Sequence, residues 1–490
     1  MTPFDPTVLA RRTVLAGLGG LVLAGSRAHA LNGDETGLIA QAGLQPDQVG
    51  FIVVDAADGR VLSAHNPDTA FIPASVAKLP CILAAVGILG PQHRFRTRLV
   101  ADGPAPGRVG ASRLILVGGG DPMLDGDRLG ELARMLAAQP QRRFAGFAYD
   151  DSLYAPLPRI VADQPEAAAF NPGVGALSVN FNRVFAAWRR NAAGETTLGV
   201  TSIAAHTRLA VDWVSVRPRT GDANDVSYRR VGEREEWGFV LDPPSGAGLF
   251  LPVRNPGYNA AMTFRALAAQ RGVALPLPQR AAASAEAREI AAVESDPLVD
   301  IARDVLRFSN NLATEMIGLA ASRALVGRAL DLASSAGALT EWLKARTPGV
   351  DWTGLRFVNH SGLSGASRAT PRQLAAIVLA AQRGAYAPAD PAALLPAARP
   401  RNGGSSNGES DPEIDAKSGT MWFAGGLAGM GNARGGRPVA FAAFAVDWPR
   451  RAALDALRGP RPLRAPEGAR DWTLRSRALI SDLARSWARG

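Results

Sequence analysis

A change of pattern in the middle of the chain most constrains what it can fold into. Residues 97–290 consist of short strand-like runs separated by Gly, Pro and Asp, whereas long amphipathic helical runs fill much of residues 291–490. In residues 31–96, a strand pair around Asp58-Gly59 precedes an apolar helical run. A chain of 490 residues is also too long for one core. We therefore expect two or three domains, with residues 97–290 forming one or two mostly β domains.

The first 30 residues are typical of an export signal rather than of a folded segment. Two arginines, at positions 11 and 12, precede a weakly apolar run that ends in the small-x-small pattern Ala-His-Ala at residue 30. The paired arginines favour the twin-arginine route, although any basic segment would also serve ordinary secretion. We therefore predict a periplasmic protein whose signal peptide is residues 1–30.

The composition is that of a soluble globular protein, with 47% hydrophobic and 20% charged residues. This balance argues against a disordered chain and against a polytopic membrane protein. The arginines are spread without a basic run or interleaved aromatic residues, so nucleic acid is not an expected partner. The single cysteine, Cys81, excludes an intramolecular disulfide, and its apolar neighbours predict a core position.

Lysine is rare in this chain, and its few positions are informative. The 54 basic residues include only Lys78, Lys344 and Lys417 as lysines. A guanidinium stays protonated in proteins, whereas a buried ammonium can lose its proton and act as a base. Lys344 lies in the polar-faced helical run "EWLKAR", and we interpret it as an ordinary surface residue. The neighbours of the other two lysines indicate chemistry.

Ser75 stands three positions before Lys78 in "IPASVAKLP", at the start of a predicted helix. Three residues make about one helical turn, so both side chains share a face. A serine that attacks a carbonyl needs a base beside its hydroxyl, and this pair supplies both groups. Alone, the spacing is a weak pattern that arises often by chance. We also expect Pro80, in the second turn, to remove one hydrogen bond and kink the helix.

Two further motifs follow in the chain. The run "FSNNLATEM" places Ser309 and Asn311 ahead of a helix, although Ser and Asn are also favoured helix N-caps. The run "DAKSGT" places Lys417 and Gly419 at the edge of an apparent strand. Each motif has an ordinary structural explanation, but the ordered set of three is far rarer than any one member.

In this order, the motifs Ser-x-x-Lys, Ser-x-Asn and Lys-(Ser/Thr)-Gly resemble the signature of the serine penicillin-binding proteins and β-lactamases. The spacer of 230 residues between Lys78 and Ser309 makes the chain similar to class C low-molecular-mass penicillin-binding proteins, which are D-alanyl-D-alanine carboxypeptidases and endopeptidases with domains inserted between the first two motifs. Further segments resemble the same group, namely "LILVGGGDPML", "YDDSLY", "ALSVNFN" and "SGLSGASRATPRQL".

The resemblance implies a fold of the α/β (α+β) class. We expect a transpeptidase-like domain, a mainly antiparallel sheet with helices on both faces, made from residues 31–96 and 291–490. Residues 97–290 would then be the inserted domain or domains. The implied activity is that of a serine DD-carboxypeptidase or DD-endopeptidase, which cleaves D-Ala-D-Ala of peptidoglycan. Cleavage of D-amino-acid cross-links is a further activity that the resemblance allows.

The resemblance also implies a role for each motif residue. Ser75 would be the acylated nucleophile, Lys78 the base in acylation, and Ser309 the relay of a proton to the departing nitrogen. The substrate would be held by Asn311, Lys417, Ser418, Gly419 and Thr420: Asn311 on a peptide amide, Lys417 through its charge, and Ser418 and Thr420 on the terminal carboxylate. Gly419 would let the substrate backbone pair with the strand edge, and the backbone N–H groups of Ser75 and Thr420 would form the oxyanion hole.

Some positions depart from the pattern of that group. "NHSGLS" stands where the group usually has Asp-Gly-Ser-Gly-Leu-Ser, and the loop "RNGGSSNGESD" does not match the usual approach to the third motif. These changes concern the range of substrates more than the mechanism. Asp151 in "YDDSLY" is a candidate to reach a free amine of the stem peptide, but we favour an ordinary turn or solvated role.

A β-lactamase is the nearest alternative, and a catalytically inactive wall-binding protein of the same fold is another. The chain lacks the Glu-x-x-Leu-Asn and Tyr-x-Asn segments of two β-lactamase classes, which favours a peptidase. A Ser-His-Asp hydrolase is disfavoured, because "GLSGA" lacks the last glycine of a nucleophile elbow, and no His-Glu-x-x-His helix indicates a metallopeptidase. We expect no cofactor or metal. The expected partners are peptidoglycan stem peptides, β-lactam inhibitors and, peripherally, envelope components.

Overall fold

The computed structural model describes residues 33–103, 112–190, 196–221, 226–240, 248–395, 414–433, 436–457, 459–461 and 464–489. The predicted signal peptide, residues 1–30, and the loop "RNGGSSNGESD" lie outside these ranges. Within them, none of the helices is both long and apolar enough to cross a membrane.

The first part of the chain supplies two helices and two strands. In chain order these are α1 (Gly33–Gln41), β1 (Val49–Asp55), β2 (Val61–His65) and α2 (Lys78–Leu89), with a 3-10 turn at Ala74–Ala77 before α2. The predicted hairpin is confirmed: β1 pairs antiparallel with β2 across Asp58-Gly59. Gly59 has φ 83°, a left-handed conformation that glycine adopts without strain.

The middle of the chain supplies most of the strands. These are β3 (Arg96–Asp102), β4 (Arg113–Val117), α3 (Gly126–Ala137), β5 (Gly146–Asp150), β6 (Arg183–Arg190), β7 (Thr196–Ile203), β8 (Arg208–Ala210), β9 (Val214–Pro218), β10 (Ser227–Val231), β11 (Arg234–Phe239), β12 (Gly248–Pro252), α4 (Pro256–Gln270), β13 (Pro278–Arg280) and β14 (Arg288–Glu294).

The last part supplies seven helices and three long strands among the described residues. These are α5 (Leu298–Phe308), α6 (Asn311–Val326), α7 (Leu332–Lys344), α8 (Pro371–Gln382), α9 (Pro391–Leu394), β15 (Ile414–Met421), β16 (Ala424–Ala433), β17 (Arg437–Val446), α10 (Trp448–Asp455) and α11 (Ala469–Arg489).

The two ends of the chain build one antiparallel sheet of five strands, in the order β15-β16-β17-β1-β2. All seven residues of β1 are buried, because both faces of this sheet are covered. Alternate residues serve different cores: Ile52 packs with α2 and α8, whereas Phe51 packs with α1 and α11. The expected mainly antiparallel sheet with helices on both faces is confirmed, and the C-terminal helix α11 packs on that sheet.

The middle segment forms three further sheets among the described residues. Their orders are β13-β5-β4-β3-β14, β12-β6-β7-β8 and β10-β11-β9. One core joins them to α3 and α4. Strands β3 and β14 pair antiparallel where the chain enters and leaves this segment. The domain boundaries at 96/97 and 290/291 stay a prediction.

The expected kink at Pro80 was wrong. Helix α2 begins at Lys78, so Pro80 is the third residue of its first turn rather than part of the second. The first backbone N–H groups of a helix have no intrahelical acceptor, so proline costs little there. The helix continues to Leu89 and ends at Gly90, which has φ 87°.

Candidate active site

The candidate nucleophile lies on a tight turn that leads into α2. Ser75 belongs to the 3-10 turn Ala74–Ala77 and is half-buried, and Lys78 follows as the first, fully buried residue of the helix. Ala74 has φ 46°, a left-handed conformation that costs free energy for a residue with a Cβ. The surrounding packing therefore holds the turn in a strained shape directly before the serine.

Three acceptors surround the side-chain nitrogen of Lys78. It donates to Oγ of Ser75 at 2.9 Å, to Oδ1 of Asn311 at 2.8 Å and to the backbone oxygen of Ser361 at 2.7 Å. The structure thus brings together two motifs that are more than two hundred residues apart in sequence. Ser361 belongs to the "SGLSG" segment.

These three contacts differ in chemistry. The amide oxygen of Asn311 and the carbonyl oxygen of Ser361 can only accept, so each requires an N–H of the lysine. The hydroxyl of Ser75 can accept or donate. When Lys78 is neutral, its two remaining N–H groups satisfy Asn311 and Ser361, and its lone pair is left facing Ser75. The geometry therefore provides a base aimed at the serine proton.

Burial favours that neutral form. Complete burial lowers the pKa of Lys78 well below its ordinary value, and the nearby charge of Lys417 lowers it further. The carboxylate of Glu315 acts in the opposite direction and raises the pKa of Lys78. Cys81 is buried, as expected, and desolvation raises the pKa of its thiol well above the ordinary value, so it stays protonated.

The second motif lies at the junction of α5 and α6. Asn310 caps α6, because its side chain accepts from the backbone N–H of Ala313 at 3.0 Å. Ser309 has φ 57° and lines the cavity described below. The side-chain nitrogen of Asn311 donates to the backbone oxygen of Phe170 at 2.9 Å, which fixes its amide oxygen toward Lys78.

The third motif lies on β15, an edge strand of the main sheet. Lys417 is buried and donates to the backbone oxygen of Ser418 at 2.6 Å, and burial lowers the pKa of Lys417 to about 8. Ser418 and Thr420 are exposed on the same strand. The motif therefore presents two hydroxyl groups at an open edge, with a buried cation behind them.

Gly419 lies between those hydroxyls, and the structure gives a reason for glycine other than the expected pairing with substrate. A Cβ there would approach the backbone oxygen of Pro73 to 2.7 Å and the backbone nitrogens of Ser75 and Val76 to 2.8 and 2.9 Å. Contacts this short do not occur with real side chains. Glycine is thus required for β15 to pack against the turn that carries Ser75.

Glu315 is a site residue that the sequence reading missed. This fully buried carboxylate on α6 accepts from the backbone N–H groups of His360 and Ser361 and from the side-chain nitrogen of Asn359, each at 2.9 Å. It thereby holds the loop whose Ser361 oxygen contacts Lys78. A lone acid in the apolar run "NLATEMIGLAA", four positions after Asn311, was the available signal.

The departure "NHSGLS" is accommodated in this loop. The side-chain amide of Asn359, which stands where the related group has Asp, donates to Glu315 and to Oγ of Ser361. His360, which stands where the related group has Gly, is buried, and its ring contacts the hydroxyl of Ser335 at 2.7 Å. The ring packs directly against Gly318, where a Cβ would clash with it. Burial lowers the pKa of His360, so it is neutral at physiological pH.

A cavity of about 740 Å³, here called the first cavity, opens beside Ser75. It is also lined by Ser309, Asn311 and Thr420, and its other lining residues include Trp422, Arg461, Arg470 and Leu474. The two arginines favour a ligand that carries carboxylates, although Arg461 is itself ion-paired with Asp163 and Asp455. Within the described ranges, no group of three or more His, Cys, Asp or Glu side chains is placed to hold a metal ion.

Two other sequence candidates lie outside this cluster. Asp151 was expected in a turn or in solvent, but it is buried, and its carboxylate accepts from Nε of Arg280 at 2.6 Å. Asp151 directly precedes the turn at residues 152–153, so the expected turn role agrees with the structure and only the solvated role was wrong. The ion pair also occupies the carboxylate that a substrate amine would need. Lys344 pairs with Glu341 at 2.9 Å on α7, which agrees with its interpretation as a surface residue.

Comparison with known proteins identifies the family. The sequence model of the D-Ala-D-Ala carboxypeptidase 3 (S13) family matches residues 35–456. The chain belongs to this family. A D-alanyl-D-alanine carboxypeptidase of Actinomadura sp. (strain R39) is 34% identical to this S13 chain over 159 residues, which cover 32% of this chain and only 29% of that protein. Carboxypeptidase Rv3627c of Mycobacterium tuberculosis (strain ATCC 25618 / H37Rv) is 27% identical over 425 residues, 83% of this chain and 78% of that protein.

Solved structures agree with the fold of this S13 protein. Penicillin binding protein 4 (dacB) from Haemophilus influenzae matches with a TM-score of 0.74 at 18% identity, over 93% of this chain and 100% of that chain. A second structure of that protein, complexed with a β-lactam, matches with a TM-score of 0.69. The predicted family, the α/β fold class and the enzyme class, a serine-type D-Ala-D-Ala carboxypeptidase, are confirmed.

Proposed function

We propose that this protein is a periplasmic serine peptidase that cleaves the D-Ala-D-Ala bond of peptidoglycan stem peptides, and the D-amino-acid cross-links between stems, through an acyl-Ser75 intermediate. One observation carries the proposal. Lys78 is buried, its side-chain nitrogen donates two N–H groups to oxygens that can only accept, and the third hydrogen-bonding direction of that nitrogen points at Oγ of Ser75. This is the arrangement that an acylating serine requires of its base.

In acylation, neutral Lys78 takes the proton of Ser75 while Oγ attacks the carbonyl carbon of the penultimate D-alanine. The backbone N–H groups of Ser75 and Thr420 stabilise the oxyanion. The C–N bond then breaks, and the proton passes from Lys78 through Ser309 to the departing amine. Lys78 is neutral again, and the carbonyl carbon is held as an ester of Ser75.

In deacylation, water attacks the ester carbon and gives its proton to Lys78, which returns it to Ser75 as the carboxylic acid product leaves. The substrate is held meanwhile by the remaining motif residues. Asn311 binds a peptide amide, Ser418 and Thr420 bind the terminal carboxylate, and Lys417 attracts that carboxylate. The open edge of β15 and the arginines of the first cavity support a peptide ligand with free carboxylates.

The location and partners follow from the same activity. Peptidoglycan lies outside the cytoplasmic membrane, so its hydrolase is exported, and residues 1–30 have the pattern of an export signal with paired arginines. β-lactams present a reactive carbonyl next to a carboxylate, and they would acylate the same serine. The proposal also includes peripheral contacts between this protein and other components of the cell envelope.

The test is the intact mass of residues 31–490 after exposure to penicillin, with two serine variants alongside. We expect one stable penicilloyl adduct on the parent and none on Ser75→Ala. Ser364→Ala is the matched control, because Ser364 lies in the "GLSGA" run of the alternative hydrolase reading, and it should keep the adduct.

The other outcomes each contradict the proposal in a different way. Rapid loss of penicillin without an adduct would support a β-lactamase. No adduct with penicillin left intact would support an inactive binding protein. Loss of the adduct in Ser364→Ala alone would place the nucleophile elsewhere.

A further inference from the structure

A second cavity, of about 510 Å³, lies beside the first cavity. The two share Phe170, Ser309 and Asn311, but of the two only the first is lined by Ser75 and Thr420. The second cavity therefore begins on the side of Ser309 away from the nucleophile. Its other walls include Met123, Phe181, Arg183, Asp304 and Phe308.

The second cavity is lined by exposed aromatic side chains and by charged side chains of both signs. Phe308 is 70% exposed and Phe170 is 51% exposed, which is unusual for side chains of this size. The guanidinium of Arg183 lies over the rings of Phe181 and Phe250, 5.3 Å from each centroid, and its Nε has no hydrogen-bond partner. An apolar pocket with one incompletely bonded cation, Arg183, and one exposed acid, Asp304, suits an aliphatic chain that carries a carboxylate and an amine.

The wall that carries Phe181 is held in a strained conformation. Asn180, Phe181 and Asn182 have φ values of 51°, 55° and 50°, and Phe rarely adopts this left-handed region. The flanking asparagines hold the shape, since Nδ2 of Asn180 donates to Ser202 at 2.8 Å and Nδ2 of Asn182 donates to the oxygen of Gly173 at 2.7 Å. Such strain persists only where the surroundings enforce it, and it concentrates at binding sites.

The position of the cavity matches one part of the reaction. The nitrogen that leaves the acyl carbon takes its proton at Ser309, and the acyl strand remains on Ser75. When that nitrogen belongs to free D-alanine, only a methyl group and a carboxylate accompany it. When it belongs to a cross-link, an aliphatic stem and a second peptide continue from it and need space beyond Ser309.

We infer that the second cavity binds the departing strand of a cross-linked peptidoglycan peptide, with Arg183 on a carboxylate of that strand and Phe181 and Phe308 against its aliphatic stem. This inference rests on the proposed function. It makes the cavity a determinant of endopeptidase activity, because cleavage of D-Ala-D-Ala leaves the cavity unused.

The test compares kcat/KM on a cross-linked muropeptide dimer with kcat/KM on the uncross-linked pentapeptide muropeptide. Arg183→Gln removes the cation, and Met123→Trp fills the cavity. Arg208→Gln is the matched control, because Arg208 is an exposed arginine on β8 of the same sheet as Arg183. We expect both cavity variants to lose about tenfold on the dimer and less than about twofold on the pentapeptide, with the control unchanged on both.

Equal losses on the two substrates, or no loss on the dimer, would overturn the inference. A parent that cleaves neither substrate would instead overturn the proposed function. In that case, binding to the Ser75→Ala protein tests the inference separately. The inference predicts that Ser75→Ala binds the dimer more tightly than the pentapeptide, and that the double variant Ser75→Ala, Arg183→Gln loses this preference. Absence of a preference in Ser75→Ala would contradict it.

Discussion

The side-chain nitrogen of Lys78 lies 2.8 Å from the amide oxygen of Asn311, across 233 positions of sequence. The same amide donates to the backbone oxygen of Phe170. One asparagine thus connects the helix of the base, the helix of the second motif and the middle segment of the chain. Because Phe170 accepts from its nitrogen, the amide oxygen of Asn311 faces Lys78.

Asn311→Asp tests this relationship. A carboxylate beside Lys78 would stabilise its ammonium form and raise its pKa, and the contact with Phe170 would become repulsive. We expect penicillin acylation at pH 7 to fall by about 100-fold and to recover in part at higher pH. Asn310→Asp is the control, since Asp caps a helix as well as Asn does. Equal rates in the two variants would refute the role given to Asn311.

Lys78→Arg tests whether the base must lose its proton. Guanidinium does not deprotonate in proteins, so acylation should be abolished at every pH between 6 and about 10. Lys344→Arg carries the same exchange on the surface of α7 and should acylate as the parent does. Stopped-flow acylation with a chromogenic β-lactam measures both. An active Lys78→Arg protein, with a circular dichroism spectrum like that of the parent, would exclude Lys78 as the base.

Lys417→Gln should move the pH profile of acylation to higher pH. In the proposed mechanism Lys78 acts in its neutral form, so the acylation rate should rise as the pH passes the pKa of Lys78. The charge of Lys417 lowers that pKa. Removing the charge of Lys417 raises the pKa of Lys78, so the acidic side of the pH profile moves to higher pH. The pKa of Lys417 itself is about 8, so parent and variant should converge at more alkaline pH. An unchanged acidic side of the profile would mean that the two lysines are not coupled.

Glu315→Gln should move the acidic side of the pH profile of acylation to lower pH. The carboxylate raises the pKa of Lys78, so a neutral amide lets the base act at lower pH. The amide also replaces one acceptor oxygen by a donor that faces a backbone N–H, which should cost about 1–3 kcal/mol of unfolding free energy. Glu341→Gln, an exposed acid on α7, should change neither quantity. Thermal unfolding and the pH profile of acylation together separate the two possible roles of Glu315. A purely structural role would lower stability but leave the acidic side of the pH profile unchanged.

Gly419→Ala should prevent assembly of the site. The added Cβ would lie under 3.0 Å from three backbone atoms of the Ser75 turn, so β15 must move away from the nucleophile. We expect acylation to fall by about 100-fold or more, because the proposed oxyanion donor on this strand, the backbone N–H of Thr420, moves with it. Gly425→Ala, on the neighbouring strand, meets only ordinary contacts at 3.7 Å and should stay active. Mass spectrometry after exposure to penicillin measures the acylation of both variants. A Gly419→Ala protein that is still acylated would contradict this account.

Several features were predictable because they depend on neighbours in sequence. The hairpin at Asp58-Gly59 follows from turn chemistry, and the buried strand β17 follows from its run of apolar residues. The alignment of Ser75 with Lys78 follows from helical periodicity. The error at Pro80 was also local: a 3-10 turn precedes α2, so the helix begins later than its apolar pattern suggests.

The tertiary structure decided what lies next to those residues. Nothing in the sequence around Asp151 identifies Arg280, 129 positions away, as its partner. Glu315 likewise contacts its loop across 46 positions. Such pairs depend on how helices and strands from distant segments pack, and local propensity carries no information about that packing.

The sequence by itself determined the chemical groups and their order: a serine with a lysine one turn later, a second serine with an asparagine, and a lysine on a glycine-containing strand. Only the tertiary structure decided that Lys78 is buried, that its bonds to Asn311 and Ser361 leave Ser75 for its lone pair, and that a second cavity opens beyond Ser309. The physical reason is that desolvation and hydrogen-bond geometry, which set the protonation of a base, depend on every segment packed around it and not on the residues beside it in the chain.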